Sequence, residues 1–238
     1  MTLRALERAA WRHPEWTAAA VAVSAWTLLV LAPWAGGSGT HSQHAHGSEA
    51  PWFAGVAAWL LMSTAMMVPA ALPVIRHTAL TTIWRRRQRV VALLVAPYLG
   101  LWLVFGILAL AIVDWSRGVL EVGRPTLLVV ALVVAAAWEL TPLKRRSLRA
   151  GHLVAPLPPQ GLRADAAAVG AALRYGYWSL AGCWALMLAM AVAGAEGLLL
   201  MALLAVVIAA EKVLVRGARL GRPASAALLG AAVAVLVA

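Results

Sequence analysis

Met62, Met66 and Met67 fall within one apolar stretch, and Cys183, Met187 and Met190 fall within another. Met62 and Met66 are four residues apart, and Cys183, Met187 and Met190 follow at intervals of four and three. On helices, each set therefore lies along one face. Thioether and thiolate sulfur are soft donors suited to Cu(I), and a thioether needs no deprotonation in an apolar interior. The competing reading is packing, since Met fills irregular gaps and a free Cys behaves as a small buried hydrophobe. Met201 is expected at a depth comparable to the second set.

Two further groups bear on chemistry. His41, His44 and His46 occupy a Gly- and Ser-rich polar segment, 36–51. Three His within six residues can capture Cu(II) or Zn(II), or simply form a solvated linker. Glu139 and Glu211 are carboxylates at the ends of apolar stretches, where ionisable groups are costly and often functional. The alternative is structural, because Lys144 follows Glu139 by five residues and Lys212 follows Glu211 directly. No phosphate-binding loop, zinc-protease helix motif or nucleophile elbow is present, so hydrolytic chemistry has no visible machinery.

The elements that must position these residues are membrane spans. Of the 20 Lys and Arg, all but Arg117 and Arg124 fall into four clusters: Arg4 to Arg12, Arg76 to Arg89, Lys144 to Arg174 and Lys212 to Arg222. Each cluster recurs after two apolar stretches, so the positive-inside rule predicts a polytopic all-α bundle with a cytoplasmic amino terminus. Seven stretches approach the roughly 20 residues that cross a bilayer. They run near 16–35, 52–75, 90–113, 126–143, 177–193, from the 194–197 turn to 214, and 223–238. The last is short, giving six to seven spans in one transmembrane domain covering 1–238. The 36–51 segment is then an external His-rich loop. Residues 144–174 form a cytoplasmic basic loop with one short helix.

Composition supports this reading. Hydrophobic residues make up 63% of the chain and charged residues 12%, which a soluble domain could not cover. The net charge of +11 lies beside apolar spans, so anionic lipid headgroups at the cytoplasmic face are the expected partner, and nucleic acid is not. Trp16, Trp34, Trp52, Trp84, Trp115 and Trp178 fall near predicted span ends, where indoles favour the headgroup region. The first stretch is too long for a cleaved signal. Cys183 stands alone, which excludes an internal disulfide.

Four motifs occur together: Trp59-Leu-Leu-Met62-x-x-Ala65-Met66-Met67-x-Pro69, Trp138-Glu139-Leu140-Thr141-Pro142-Leu143-Lys144, Gly182-Cys183-Trp184-Ala185-Leu186-Met187, and Glu211-Lys212. This combination resembles a bacterial family of predicted metal-binding integral membrane proteins of unknown function. The resemblance covers roughly residues 52–215. It implies a metal-binding protein of the bacterial inner membrane. Members commonly carry Cys after the Thr-Pro-Leu-Lys motif, whereas this chain has Ser147 and His152 there. That departure implies that a cytoplasmic-side thiol site is lost, or that Ser147 and His152 replace it.

These observations together predict a membrane protein that handles, inserts or passes copper. Met62, Met66, Cys183 and Met187 are the inner ligands, the three His capture the ion outside, and Glu139 and Glu211 tune charge at the inner edge. Two other classes stay open. One is a proton-coupled transporter of a small solute. The other is an assembly subunit that binds a membrane protein partner, or a second copy of itself, through small-residue faces such as Gly182, Ala185 and Ala189.

Overall fold

The computed structural model describes residues 13–35, 52–119, 121–151, 158, 161–193, 198–214 and 220–237. Among them there is no strand. The helices are α1 (Trp16–Ala35), α2 (Trp52–Leu80), α3 (Arg87–Gly118), α4 (Arg124–Glu139), α5 (Pro142–Gly151), α6 (Leu162–Ala193), α7 (Leu198–Val213) and α8 (Gly221–Val237), with a 3-10 turn at Trp84–Arg86 before α3. The His41, His44 and His46 loop lies outside the described residues.

Three helical segments are long and apolar enough to cross a membrane: Trp52–Leu80, Trp84–Gly118 and Leu162–Ala193. A fourth results if α4 and α5, which meet at a 70° bend, are one broken span. α1 and α8 are shorter apolar helices that lie where the first and last stretches were read. The long helices turn apolar side chains outward, including Val104, Leu108 and Ile112 on α3. Such an exterior suits lipid better than water.

Two boundaries differ from the expectation. The stretch read as 126–143 stops at Glu139, because Pro142 disfavours helical backbone at Thr141 and cannot donate to the preceding turn. Thr141 then caps α5: its hydroxyl accepts from the Lys144 backbone N–H at 3.3 Å, with Pro142 in the first helical position. The second difference concerns 144–174, read as a basic loop. Its later part belongs to α6, which runs unbroken for 32 residues. Ala164, Ala168, Ala172 and Gly176 recur every four residues and are buried. Ala172 packs with Val90 and Leu94 of α3 in a small apolar cluster. Asp165 is tied to Arg86 and, at 2.6 Å, to Arg89. Trp178 consequently sits in the middle of α6, whereas Trp16, Trp52, Trp84 and Trp115 are exposed near helix ends.

α6 is the hub. It packs against α3, α4 and α5, while α3 packs on α2, α2 on α1 and α7, and α4 on α8. Tryptophan N–H groups fasten neighbouring helices by donating to backbone carbonyls: Trp26 to Ala65 at 2.8 Å, Trp59 to Trp102 at 2.8 Å and Trp138 to Ala181 at 3.0 Å. A buried indole needs such an acceptor. Arg124, one of the two cations outside the basic clusters, donates to the carbonyls of Val192 and Ala193. A cation at a helix C-terminus satisfies carbonyls that the helix itself leaves open.

Candidate metal centre and the charged cluster beside it

Met66, Met67, Cys183, Met187 and Met190 are all buried and belong to one continuous apolar core, with Met62 half-buried against it. Met201 of α7 belongs to the same core. The helical spacing of Cys183, Met187 and Met190 places all three on the inward face of the hub helix. The sulfur atoms expected to act together are thus inside the same core, on α2 and α6. Among the described residues, no three His, Cys, Asp or Glu side chains are grouped to hold a metal. The donors that this core does hold are thioether and thiol sulfur, a soft set.

Lys144 is the residue that sequence reasoning placed wrongly. It belongs to a basic cluster read as a cytoplasmic loop, yet its side chain is 2% exposed and lies between two carboxylates. Glu139 pairs with its ammonium, and Glu211 contacts it at 2.8 and 3.0 Å. The carboxylate side chains are 0% and 1% exposed. The expected local pair of Glu139 with Lys144 is present. Glu211 instead reaches across 67 residues to Lys144 and not to its neighbour Lys212. Three charges buried together are tolerable because each faces an opposite charge. The clue lay in Thr141-Pro142, which turns the chain and sends Lys144 back toward Glu139.

Lys212 serves a second network. Its ammonium donates to the Ser179 hydroxyl at 2.6 Å. Ser179 pairs with the Tyr98 hydroxyl at 3.0 Å, and Tyr98 donates to the Met67 carbonyl at 3.3 Å. Ser179 precedes Cys183 by one helical turn, so the lysine is held on the same face of α6 as the candidate ligand. Tyr98 and Ser179 were not singled out in the sequence, although the four-residue spacing of Ser179 and Cys183 is visible there, and Lys212 was read only as the neighbour of Glu211.

Trp138 bonds to Ala181 and stacks edge-on with Trp184 at 5.2 Å, so the end of α4 is level with Cys183. Cys183 thus lies beside the charges and not above them. Met187 and Met190 continue about 6 Å and 10 Å further along the helix, away from the charges. Ser147, where the resembling family commonly has Cys nearby, is buried and donates to the Lys144 carbonyl at 2.8 Å. It lies against Gly182, next to Cys183. His152 lies outside the described residues.

α8 closes the cluster from the other side. Ser225 donates to the Ala136 carbonyl at 2.9 Å, and Gly221 lies against Glu139. A Cβ at Gly221 would stand 2.8 Å from the Glu139 carbonyl oxygen, a rigid backbone atom. Gly221→Ala should therefore destabilise the protein by about 1–3 kcal/mol. Gly230→Ala on the same helix meets nothing within 4 Å and should be neutral or stabilising by up to about 1 kcal/mol. Thermal melts in mild detergent check the pair, and equal melting of the two variants contradicts the close approach.

The architecture defines an all-helical bundle, apolar outside, with sulfur donors and a compensated charge cluster in its core. Residues 56–235 match the model of a family described as PpoB2, copper chaperone. The chain belongs to that family. The match spans all four motifs and α8, and it adds a copper link to the resemblance seen in the sequence. No curated protein and no solved structure matches the chain.

Proposed function

We propose that this protein is a multi-pass protein of the bacterial inner membrane that receives Cu(I) on core sulfur atoms and passes it on. Cys183, Met66 and Met187 are the central ligands, with Met62, Met67 and Met190 lining the approach. Six to seven spans with a cytoplasmic amino terminus fit the charge pattern. Anionic headgroups then meet the basic clusters, and the His41, His44 and His46 loop collects copper outside. The observation that carries the reading is the placement of Cys183 and four buried Met in one core shared by α2 and α6. Membership of a copper chaperone family supports the choice of metal.

Elemental analysis tests it. Full-length protein from copper-supplemented cells, purified in mild detergent, should retain near-stoichiometric copper, and a Met66→Ala, Cys183→Ala, Met187→Ala variant that still elutes as a single species should retain none. Copper absent from both, or unchanged in the variant, rejects the sulfur site.

A second reading, proton-coupled movement of a small solute, is favoured by one observation, the buried Glu139–Lys144–Glu211 cluster. It takes precedence if no copper is retained and Glu139→Gln abolishes solute flux in proteoliposomes.

A further inference from the structure

Between α2, α5, α6 and α7 lies a half-open cavity of about 40 Å³, room for a few water-sized groups. Its walls include Ser147, Gly151, Tyr175, Ser179, Gly182 and Lys212. Gly182 adjoins Cys183 in the chain, and Ser179, which Lys212 holds at 2.6 Å, lies one helical turn before it, so the cavity ends beside the candidate ligand. Glu139 and Glu211 both face Lys144, which leaves Lys212 as the charge that the cavity presents. α5, which forms one wall, carries exposed Arg145, Arg146 and Arg149 and no acidic residue.

A bare cation approaching from this side meets the basic exposed face of α5 and then Lys212 at the cavity wall. Repulsion of that kind grows as water is excluded. An anion is drawn inward by the same charges, and a lysine ammonium keeps donors for it beyond the one given to Ser179. The small volume excludes a bulky chelate.

We propose that this cavity is a second port, on the side of the basic clusters and separate from the His loop, through which copper arrives as a small, net-anionic, two-coordinate Cu(I) complex, an inference that rests on the copper reading above. Copper stays Cu(I) throughout. As Cys183 bonds to the metal, one bond to an incoming anionic ligand breaks, that ligand leaves past Lys212, and the Cys183 proton is released with it to solvent.

Loading kinetics test the port. Metal-free, full-length protein in mild detergent is mixed with Cu(I) as dichlorocuprate in chloride buffer, or as the acetonitrile-solvated cation with perchlorate replacing chloride at equal ionic strength. Wild type should load roughly tenfold faster from the dichlorocuprate, the scale expected of electrostatic steering. In Lys212→Gln the advantage should fall toward parity. An Arg145→Gln, Arg149→Gln variant, altered only at exposed positions, should lose part of it while reaching the wild-type copper content. Equal or faster loading from the cation in wild type, or an advantage unchanged in both variants, overturns the port and leaves the sulfur site standing. Copper retained from neither complex overturns both.

Discussion

Lys144→Met should lower stability by about 3–5 kcal/mol, the usual cost of removing one member of a buried ion cluster. The substitution preserves most of the side-chain length, so packing loss is small. What it removes is, among the described residues, the ammonium that faces both Glu139 and Glu211, whose side chains are 0% and 1% exposed. Two carboxylates then remain in an apolar interior without a counter-charge, and each must be protonated or expose itself. The cluster also joins three helices, because Glu139 ends α4, Lys144 lies on α5 and Glu211 is near the end of α7. Replacing all three together, as Glu139→Leu, Lys144→Met and Glu211→Leu, should recover most of the loss, since apolar replacements of a buried ion group are often neutral or stabilising. Thermal or denaturant unfolding of copper-free protein in detergent separates the cases. If Lys144→Met unfolds with the wild type, the ions are not paired in a dry interior. If the triple variant is no better than the single one, the loss comes from packing and not from charge.

That cluster also shows what a sequence can and cannot display. Apolar length and the Lys and Arg distribution are local properties, and they located every described helix to within a few residues except at two places. At Thr141-Pro142 a local rule, the proline restriction, was present but outweighed by the apolar run around it. In 162–176 the alternation of small residues every four positions signalled a packing face, yet Arg163, Asp165 and Arg174 made it look interfacial. The alignment of Met62 with Met66, and of Cys183 with Met187 and Met190, was legible because helical spacing alone puts each set on a common face. Glu139 was legible as a partner of Lys144, but Glu211 as its second partner and Ser179 as that of Lys212 were not, because those depend on which helices meet. Glu211 lies 67 residues from Lys144, and Ser179 lies 33 from Lys212. No local pattern encodes such pairings, and adjacency along the chain, as in Glu211-Lys212, pointed to the wrong partner.

Gly106→Val should be the most damaging apolar substitution in the bundle. Gly106 lies in the interior of α3, where glycine costs about 1 kcal/mol relative to alanine. The structure supplies the reason for that cost. A Cβ there would stand 2.0 Å from the Trp59 indole nitrogen and 2.1 Å from the adjoining ring carbon. The indole is 3% exposed and donates at 2.8 Å to the Trp102 carbonyl, the group one helical turn before Gly106. Only a residue without a side chain lets the ring reach that carbonyl. Trp59 cannot retreat easily, because Phe105 lies 5.9 Å from its ring and Trp102, fully buried, packs edge-on against Phe105. A valine at 106 therefore breaks the hydrogen bond, displaces the ring and separates α2 from α3. Overpacking costs about 1–3 kcal/mol, and loss of the indole's partner adds about 1–3 kcal/mol. Gly100→Ala, on the same helix but with nothing within 4 Å, should be neutral or slightly stabilising. The decisive comparison is a cycle with Trp59→Leu. If the clash is the cause, Gly106→Val costs much less when the indole is already absent, and a coupling near zero in detergent melts refutes the contact. α2 also carries Met62, Met66 and Met67, so a displaced α2 should lose copper together with stability, whereas Gly100→Ala should keep both.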